Sequence, residues 1–153
     1  MYKVTTYLNE NRFPYLVKEE CHYGEDKDTQ YNEPERIWEL CKAMRMNERA
    51  MEMVLLLVFN GANHIICISE LSTGSMDRSI MSVREVARTV LLAGGTSCVL
   101  VHNHPSGDTT PSDIDITITH KLIKGLRELD IEILDHIIVG RNVYTSLRER
   151  GII

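Results

Sequence analysis

An unbroken run of seven apolar residues, 53–59, is the feature that most constrains how this chain can fold. The run lacks the polar face of an amphipathic helix, and it is far shorter than the roughly 20 residues of a membrane span. Turn-forming residues 60–63 follow it, and the segment 64–71 is apolar again. The pattern predicts two adjoining strands, joined by a tight turn, at the centre of a sheet.

Apolar residues at helical spacing predict helices beside this sheet. One begins at residues 32–34, and a second begins at Ser82, which has capping-box spacing to Glu85, and ends near Gly94. Another spans 112–129, where alternating isoleucines could imitate a strand but the longer spacing favours a helix. Further strands are expected in a hairpin-like entry within residues 1–30, which ends in a solvated loop at 24–30, and at 99–101, 131–139 and 142–147.

The length of 153 residues and the formal net charge of -5 describe one ordinary domain. Such a chain buries about 68–70% of its surface on folding and needs no disulfide or structural metal to hold a core. We expect residues 1–46 to form an extension of short strands and a helix, packed on a domain formed by residues 47–153. The negative net charge argues against strong electrostatic binding to nucleic acid.

The cysteines are scattered without a Cys-x-x-Cys pair, which predicts reduced and mostly buried thiols: Cys21, Cys41, Cys67 and Cys98. The start of the chain has no apolar core of a signal peptide, and no run is long enough to cross a membrane. We therefore expect a cytoplasmic protein with no membrane partner. The sequence does not indicate its oligomeric state.

His102 and His104 are the first residues that indicate chemistry. Side chains two residues apart on a strand point to the same side, so this pair presents two imidazoles where the strand opens into a loop. Two such imidazoles can chelate a metal ion. A His-x-His pair by itself is also compatible with two ordinary, satisfied polar residues at a strand end.

Asp115 lies in the first turn of the next predicted helix, after a loop that turns the chain back. Its carboxylate can then face the two imidazoles. Two imidazoles and one carboxylate suit zinc and leave the fourth tetrahedral position for water, as in a catalytic site. The spacing from Ser112 to Asp115 also fits a capping box, which requires no metal.

Glu52 is the best candidate for a proton acceptor that is not itself a metal ligand. An acidic residue that opens an apolar strand is out of place unless it lies at an open end of the sheet, where it can meet the two histidines. Glu48, in a more polar stretch, is the second choice. For both residues the alternative is a solvated charge outside the sheet.

These residues resemble the JAMM motif of the JAB/MPN metalloprotease superfamily: Glu52, His102, His104, then seven residues, Ser112, two residues and Asp115. The string His-Asn-His-Pro-Ser-Gly at 102–107, with Leu-Asp-His at 134–136, resembles the RadC branch of that superfamily. The similarity covers about residues 48–151, and a string of this length is far more specific than a lone His-x-His.

The resemblance implies an α/β fold in which helices flank a mixed, curved β-sheet related to the deaminase-like architecture. It implies a zinc ion bound by His102, His104 and Asp115. Glu52 would be the general base and then the general acid. Ser112 would steady the oxyanion of the tetrahedral intermediate, a role worth about 2.7–4 kcal/mol in other acyl-transfer sites, alongside its capping role.

The function that follows is a zinc-dependent hydrolase of peptide or isopeptide bonds, in which a metal-activated water attacks and Glu52 is the base. The alternative is a non-catalytic scaffold or a DNA-repair accessory module. Longer relatives carry an N-terminal helical domain of a DNA-binding type, and the first forty-odd residues are too short and too acidic to supply it. The substrate and any protein partner are not indicated.

Two neighbouring residues, Asp135 and His136, have two interpretations. They either orient a ligand imidazole through a second hydrogen bond or end a strand as a satisfied polar pair. We favour the second. A zinc deaminase is excluded, because that class needs a Pro-Cys-x-x-Cys element, which is missing from the sequence.

Overall fold

The computed structural model describes residues 1–23, 30–31, 33–73 and 81–153. Within these residues, three helices flank one mixed sheet of seven strands. The helices are α1 (Pro34–Ala43), α2 (Val83–Ala93) and α3 (Asp113–Arg127), with a single 3-10 turn at Met46–Glu48. The strands are β1 (Tyr2–Leu8), β2 (Pro14–Glu20), β3 (Met53–Phe59), β4 (Ile65–Thr73), β5 (Ser97–Asn103), β6 (Glu132–Val139) and β7 (Tyr144–Ser146).

The strand order is β2-β1-β4-β3-β5-β6-β7, so the apolar strand β3 lies at the centre, as its composition predicts. The pairs β1–β4 and β5–β6 are parallel, and the other neighbours are antiparallel. A parallel pair needs a crossover connection, which α3 supplies between β5 and β6. The end of β5 and the start of α3 are therefore joined by one short loop at the same edge of the sheet.

Both faces of the central strand are buried, because helices cover the sheet on two sides. Val54, Leu56 and Val58 belong to a core cluster with buried residues of α2 and α3. Leu55 and Leu57 point the other way, into a second cluster that contains the buried face of α1. The two-residue alternation along β3 thus assigns α2 and α3 to one layer and α1 to the other.

The two long helices begin where the sequence predicts. The Ser82 side chain accepts a hydrogen bond from the Glu85 backbone and caps α2. At the other end of α2, Gly94 has a φ of +74°, a left-handed conformation that glycine adopts without a steric penalty. Asp113–Arg127 is helical throughout, so the longer apolar spacing outweighs the alternating isoleucines at its start.

The predicted fold class, a mixed α/β sheet flanked by helices, is confirmed. The entry hairpin forms as β1 and β2, but the predicted loop at 24–30 falls mostly outside the described residues, as does Asn32 at the predicted start of α1. The division into residues 1–46 and 47–153 stays a prediction, and β1 pairs with β4 in the same sheet. All four cysteines are free thiols, three of them buried. Over the described ranges, every helix is too short or too polar to cross a membrane.

Candidate metal centre

The two histidines and the aspartate of the predicted metal set meet at the edge where β5 ends and α3 begins. His102 lies on β5 and is fully buried, while His104 follows the strand with a side chain that is 16% exposed. Asp115 is 2% exposed although it belongs to the first turn of a helix. The burial of three polar side chains at one point is costly unless they share a partner.

The capping box that the spacing also predicts is present. The Ser112 hydroxyl accepts from the Asp115 backbone amide, and both the backbone amide and the hydroxyl of Ser112 donate to Asp115 Oδ2 at 2.7 Å. These two donors occupy Oδ2 and leave the other oxygen, Oδ1, to face His102. The capping and metal-binding interpretations are therefore compatible, because the cap holds the carboxylate in the orientation that faces the imidazoles.

The side-chain atoms that face one another are close enough to share one ion. His102 Nε2 lies 2.9 Å from His104 Nε2 and 3.4 Å from Asp115 Oδ1, and His104 Nε2 lies 3.8 Å from Asp115 Oδ2. Ligand atoms about 2.1 Å from a tetrahedral zinc ion lie about 3.3–3.4 Å apart. All three residues offer a ligand atom within 4.8 Å of the others, so this group could hold a metal ion.

The hydrogen bonds of the two Nδ1 atoms indicate which nitrogen of each histidine carries the ring proton. His104 Nδ1 lies 2.6 Å from the Asp108 carbonyl oxygen, which can only accept, so Nδ1 carries the proton. His104 Nε2 is then left with a lone pair in the neutral ring. His102 Nδ1 lies 2.8 Å from His136 Nε2, which is a further buried imidazole.

Burial keeps the imidazoles of His102 and His136 neutral. Desolvation lowers the pKa of His102 to about 4, with the Asp115 carboxylate opposing the shift and His104 adding to it. Desolvation also lowers the pKa of His136 well below its usual value, and both neighbouring histidines contribute. Neutral imidazole is the form that binds a metal. Two ring nitrogens and a carboxylate oxygen thus face one point, which is an environment suited to a cation.

Glu52 sits immediately before β3, and the strand register sets it near this edge. The antiparallel register ends at Val54 and His102, so Glu52 precedes this pair by two residues and His104 follows it by two. By the two-residue alternation it is in phase with Val54, on the face that α3 covers. The side chain is half-buried.

Asn103 brackets Glu52 from the neighbouring strand. Its side-chain oxygen accepts from the Met53 amide at 2.8 Å, and its side-chain nitrogen donates to the Met51 carbonyl at 3.3 Å. These two bonds hold the backbone on either side of Glu52. Glu48, the second choice for the base, is exposed and accepts two hydrogen bonds from Arg45, as a solvated ion pair does.

A cleft of about 600 Å³ opens beside His104. It is lined by the loop after β5, by residues 47–50, which include Glu48, and by Arg141 in the turn before β7. The loop is packed tightly, because a Cβ at Gly140 would lie 2.5 Å from the Gly107 carbonyl oxygen and 2.7 Å from Thr109. The cleft therefore opens at the edge where His104 is partly exposed.

The family described as RadC-like JAB domain matches residues 31–152. The chain belongs to this family, which is part of the JAB/MPN superfamily. A UPF0758 protein of Methanosarcina acetivorans is 43% identical over 109 residues, which is 71% of the chain and 48% of that relative.

Other relatives of the RadC-like domain carry the same kind of name. A UPF0758 protein of Desulfitobacterium hafniense is 46% identical over 91 residues, covering 60% of the chain and 40% of the relative. One of Symbiobacterium thermophilum is 40% identical over 111 residues, covering 72% and 47%. The chain spans about half the length of the curated relatives it matches, and their names state no activity.

Of the two interpretations of Asp135 and His136, the sequence favoured a satisfied polar pair, and the contacts separate the two residues. The favoured interpretation of a satisfied polar pair holds for Asp135, whose oxygens accept from the His136 and Arg148 amides and from the Ser146 hydroxyl. For His136 the contacts favour the other interpretation, because its Nε2 lies 2.8 Å from His102 Nδ1. The sequence does contain a signal for His136, because a histidine within the apolar strand β6 is as unusual as the acidic Glu52 before β3.

Proposed function

We propose that this RadC-like domain is a zinc-dependent hydrolase of peptide or isopeptide bonds. The observation that carries the proposal is the convergence of His102 Nε2, His104 Nε2 and Asp115 Oδ1 on one point at a partly open edge. Lone pairs on these three atoms would face one another, and a cation between them would relieve their mutual repulsion. Two imidazoles and one carboxylate are a ligand set that zinc prefers in catalytic sites.

Each of these residues has a separate part in holding the ion. His102 and His104 supply their Nε2 atoms, because their other ring nitrogens face His136 and the Asp108 carbonyl. Asp115 supplies the negative charge, and its carboxylate is oriented by Ser112. When bound there, zinc supplies Lewis acidity toward a carbonyl oxygen and makes a water molecule more acidic.

Glu52 is the residue that moves the proton in this proposal. Its carboxylate takes a proton from the attacking water and gives it to the nitrogen of the leaving amine, so the C–N bond breaks without expelling an amide anion. Two observations support this role: Glu52 lies two residues before Val54, which pairs with His102, and Asn103 holds the backbone on both sides of Glu52.

Ser112 keeps two proposed roles. Its hydroxyl proton points to Asp115 Oδ2, which orients a metal ligand and caps α3. Stabilising an oxyanion would require the hydroxyl to turn away from this carboxylate during the reaction. That role stays a prediction, whereas the orientation of Asp115 follows from contacts already formed.

The test compares Glu52→Gln with Glu48→Gln, which removes an exposed carboxylate from the same region. Each protein is loaded with one equivalent of zinc and incubated with a mixed library of fluorogenic peptides. We expect cleavage by the wild type and by Glu48→Gln, and zinc binding without cleavage by Glu52→Gln. Equal cleavage by Glu52→Gln would remove Glu52 from the mechanism.

The alternative function, a non-catalytic scaffold or a DNA-repair accessory module, is separated by this experiment together with a DNA-binding assay. A wild-type protein that binds zinc but cleaves no peptide or isopeptide substrate would favour the scaffold. Salt-sensitive binding to DNA would favour the accessory role, against which the net charge of -5 argues.

A further inference from the structure

A chain of hydrogen-bonded groups runs behind His102, on the side away from the converging ligand atoms. His102 Nδ1 lies 2.8 Å from His136 Nε2, and His136 Nδ1 lies 2.6 Å from Thr119 Oγ1. Thr119 Oγ1 in turn lies 2.6 Å from the carbonyl oxygen of Asp115. The three side chains are each 0% exposed, so these polar groups must satisfy one another.

The carbonyl oxygen of Asp115, at one end of this series of hydrogen bonds, determines the direction of all the others. A carbonyl oxygen can only accept, so the Thr119 hydroxyl donates its single proton to Asp115, as helical threonines commonly do to the residue four positions earlier. The Thr119 oxygen then has only lone pairs to offer, and His136 Nδ1 must donate to it.

The same logic continues through the two rings. A neutral imidazole carries one N–H, so a proton on His136 Nδ1 leaves Nε2 as an acceptor. His102 therefore donates from Nδ1, and its own Nε2 keeps a lone pair. That nitrogen is the one that lies 3.4 Å from Asp115 Oδ1 and 2.9 Å from His104 Nε2.

We propose that Thr119 and His136 are positioning residues that hold His102 in the tautomer with its proton on Nδ1 and its Nε2 lone pair facing the metal. The proposal rests on the metal site put forward above. The series of hydrogen bonds starts at the backbone of one proposed ligand, Asp115, and ends at the ring of another, His102. The first turns of α3 thus set both the place of the carboxylate and the tautomer of the imidazole.

The proposal explains why a histidine is buried on β6. If Thr119 lost its oxygen, His136 could carry its proton on Nε2 and donate it to His102 Nδ1. The His102 proton would then move to Nε2, where it points at the metal position. Zinc would have to displace that proton, so its binding would weaken.

The experiment combines substitution at Thr119 with direct detection of the ring protons. Thr119→Val removes the hydroxyl at nearly constant volume, and Thr119→Ser retains it. Thr89→Val is the matched control, because Thr89 is also buried, lies on α2 and donates to the carbonyl four residues earlier. Long-range proton–nitrogen NMR of the metal-free proteins reads which nitrogen of each histidine carries the proton, and chelator competition gives zinc affinity.

We expect wild-type His102 to carry its proton on Nδ1. Thr119→Val should show a population with the proton on Nε2 and an affinity for zinc at least about tenfold weaker, as is typical when a partner of a metal ligand is lost. Thr119→Ser and Thr89→Val should match the wild type in both measurements. A wild-type His102 protonated on Nε2, or equal zinc affinity in the two valine variants, would overturn the proposal.

A second pair of variants addresses the ring itself. His136→Gln offers an amide oxygen near the place of Nε2, whereas His136→Leu offers no acceptor. We expect the glutamine to retain most of the zinc affinity and the leucine to lose it, and equal loss in both would count against the assignment. Wild-type protein that binds no zinc overturns the proposed function alone, since the metal-free spectrum decides the tautomer independently.

Discussion

The loss of the Asp115 carboxylate should remove most of the thermal stabilisation that zinc confers. Free zinc at 1,000 times its dissociation constant stabilises a folded protein by about 4.1 kcal/mol. A chain of 153 residues unfolds with an entropy of about 0.3 kcal/mol per degree, so the wild-type Tm should rise by about 13 °C. A hundredfold weaker affinity at the same free zinc leaves about 1.4 kcal/mol, or about 4 °C.

Asp115→Asn should therefore show a zinc-dependent rise of about 4 °C or less. Asp113→Asn is the matched control, because Asp113 lies in the same first turn of α3 but is exposed. Both variants lose the favourable interaction of a negative charge with the helix N-terminus, which is worth about 0.3–1 kcal/mol with or without zinc.

The assay is calorimetry of chelator-treated protein at defined free zinc concentrations, with each variant compared with its own metal-free Tm. This comparison separates metal binding from the general effect on α3. A rise in Asp115→Asn within about 3 °C of the wild-type rise would refute the assignment of this carboxylate as a ligand. So would an equal loss of the zinc effect in Asp113→Asn.

Three further outcomes follow from the packing and burial of particular groups. Gly140→Ala should lower the free energy of urea unfolding by about 1–3 kcal/mol, because its Cβ would meet the loop at Gly107. Gly61→Ala has open space around it and should be nearly neutral, so equal losses in the two variants would contradict this account. The unfolding free energy of metal-free protein should fall as the pH drops from 6.5 toward 4, because the unfolded chain binds protons that buried His102 and His136 exclude; a flat profile would count against neutral, buried rings. A thiol reagent at pH 8 should modify one cysteine in the native protein and four in denaturant. Burial raises the pKa of the other three thiols, Cys41, Cys67 and Cys98, to about 11 or 12.

The features that sequence could predict are those set by local periodicity. The apolar run before Asn60 marks the centre of the sheet, and the four-and-three spacing after Ser112 marks α3. Both patterns act within a single element, so neighbouring residues are enough to recognise them. The metal set was equally accessible, because strand alternation places His102 and His104 on one side and the loop returns the chain to Asp115.

The features that sequence could not predict depend on pairing between distant elements. The parallel contact of β1 with β4 joins segments more than sixty residues apart, and no local pattern specifies that register. The contacts of Thr119 and His136 likewise require α3 to pack on β6. Asn103 lies within the motif at 102–107, yet its bonds to Met51 and Met53 form only when β3 and β5 are paired.

The most direct test of the central claim is a crystal of zinc-loaded protein measured on both sides of the zinc absorption edge. We predict one strong anomalous peak within bonding distance, about 2.0–2.2 Å, of His102 Nε2, His104 Nε2 and an oxygen of Asp115. A peak bound elsewhere on the chain, or no peak among these three side chains at saturating zinc, would contradict the account.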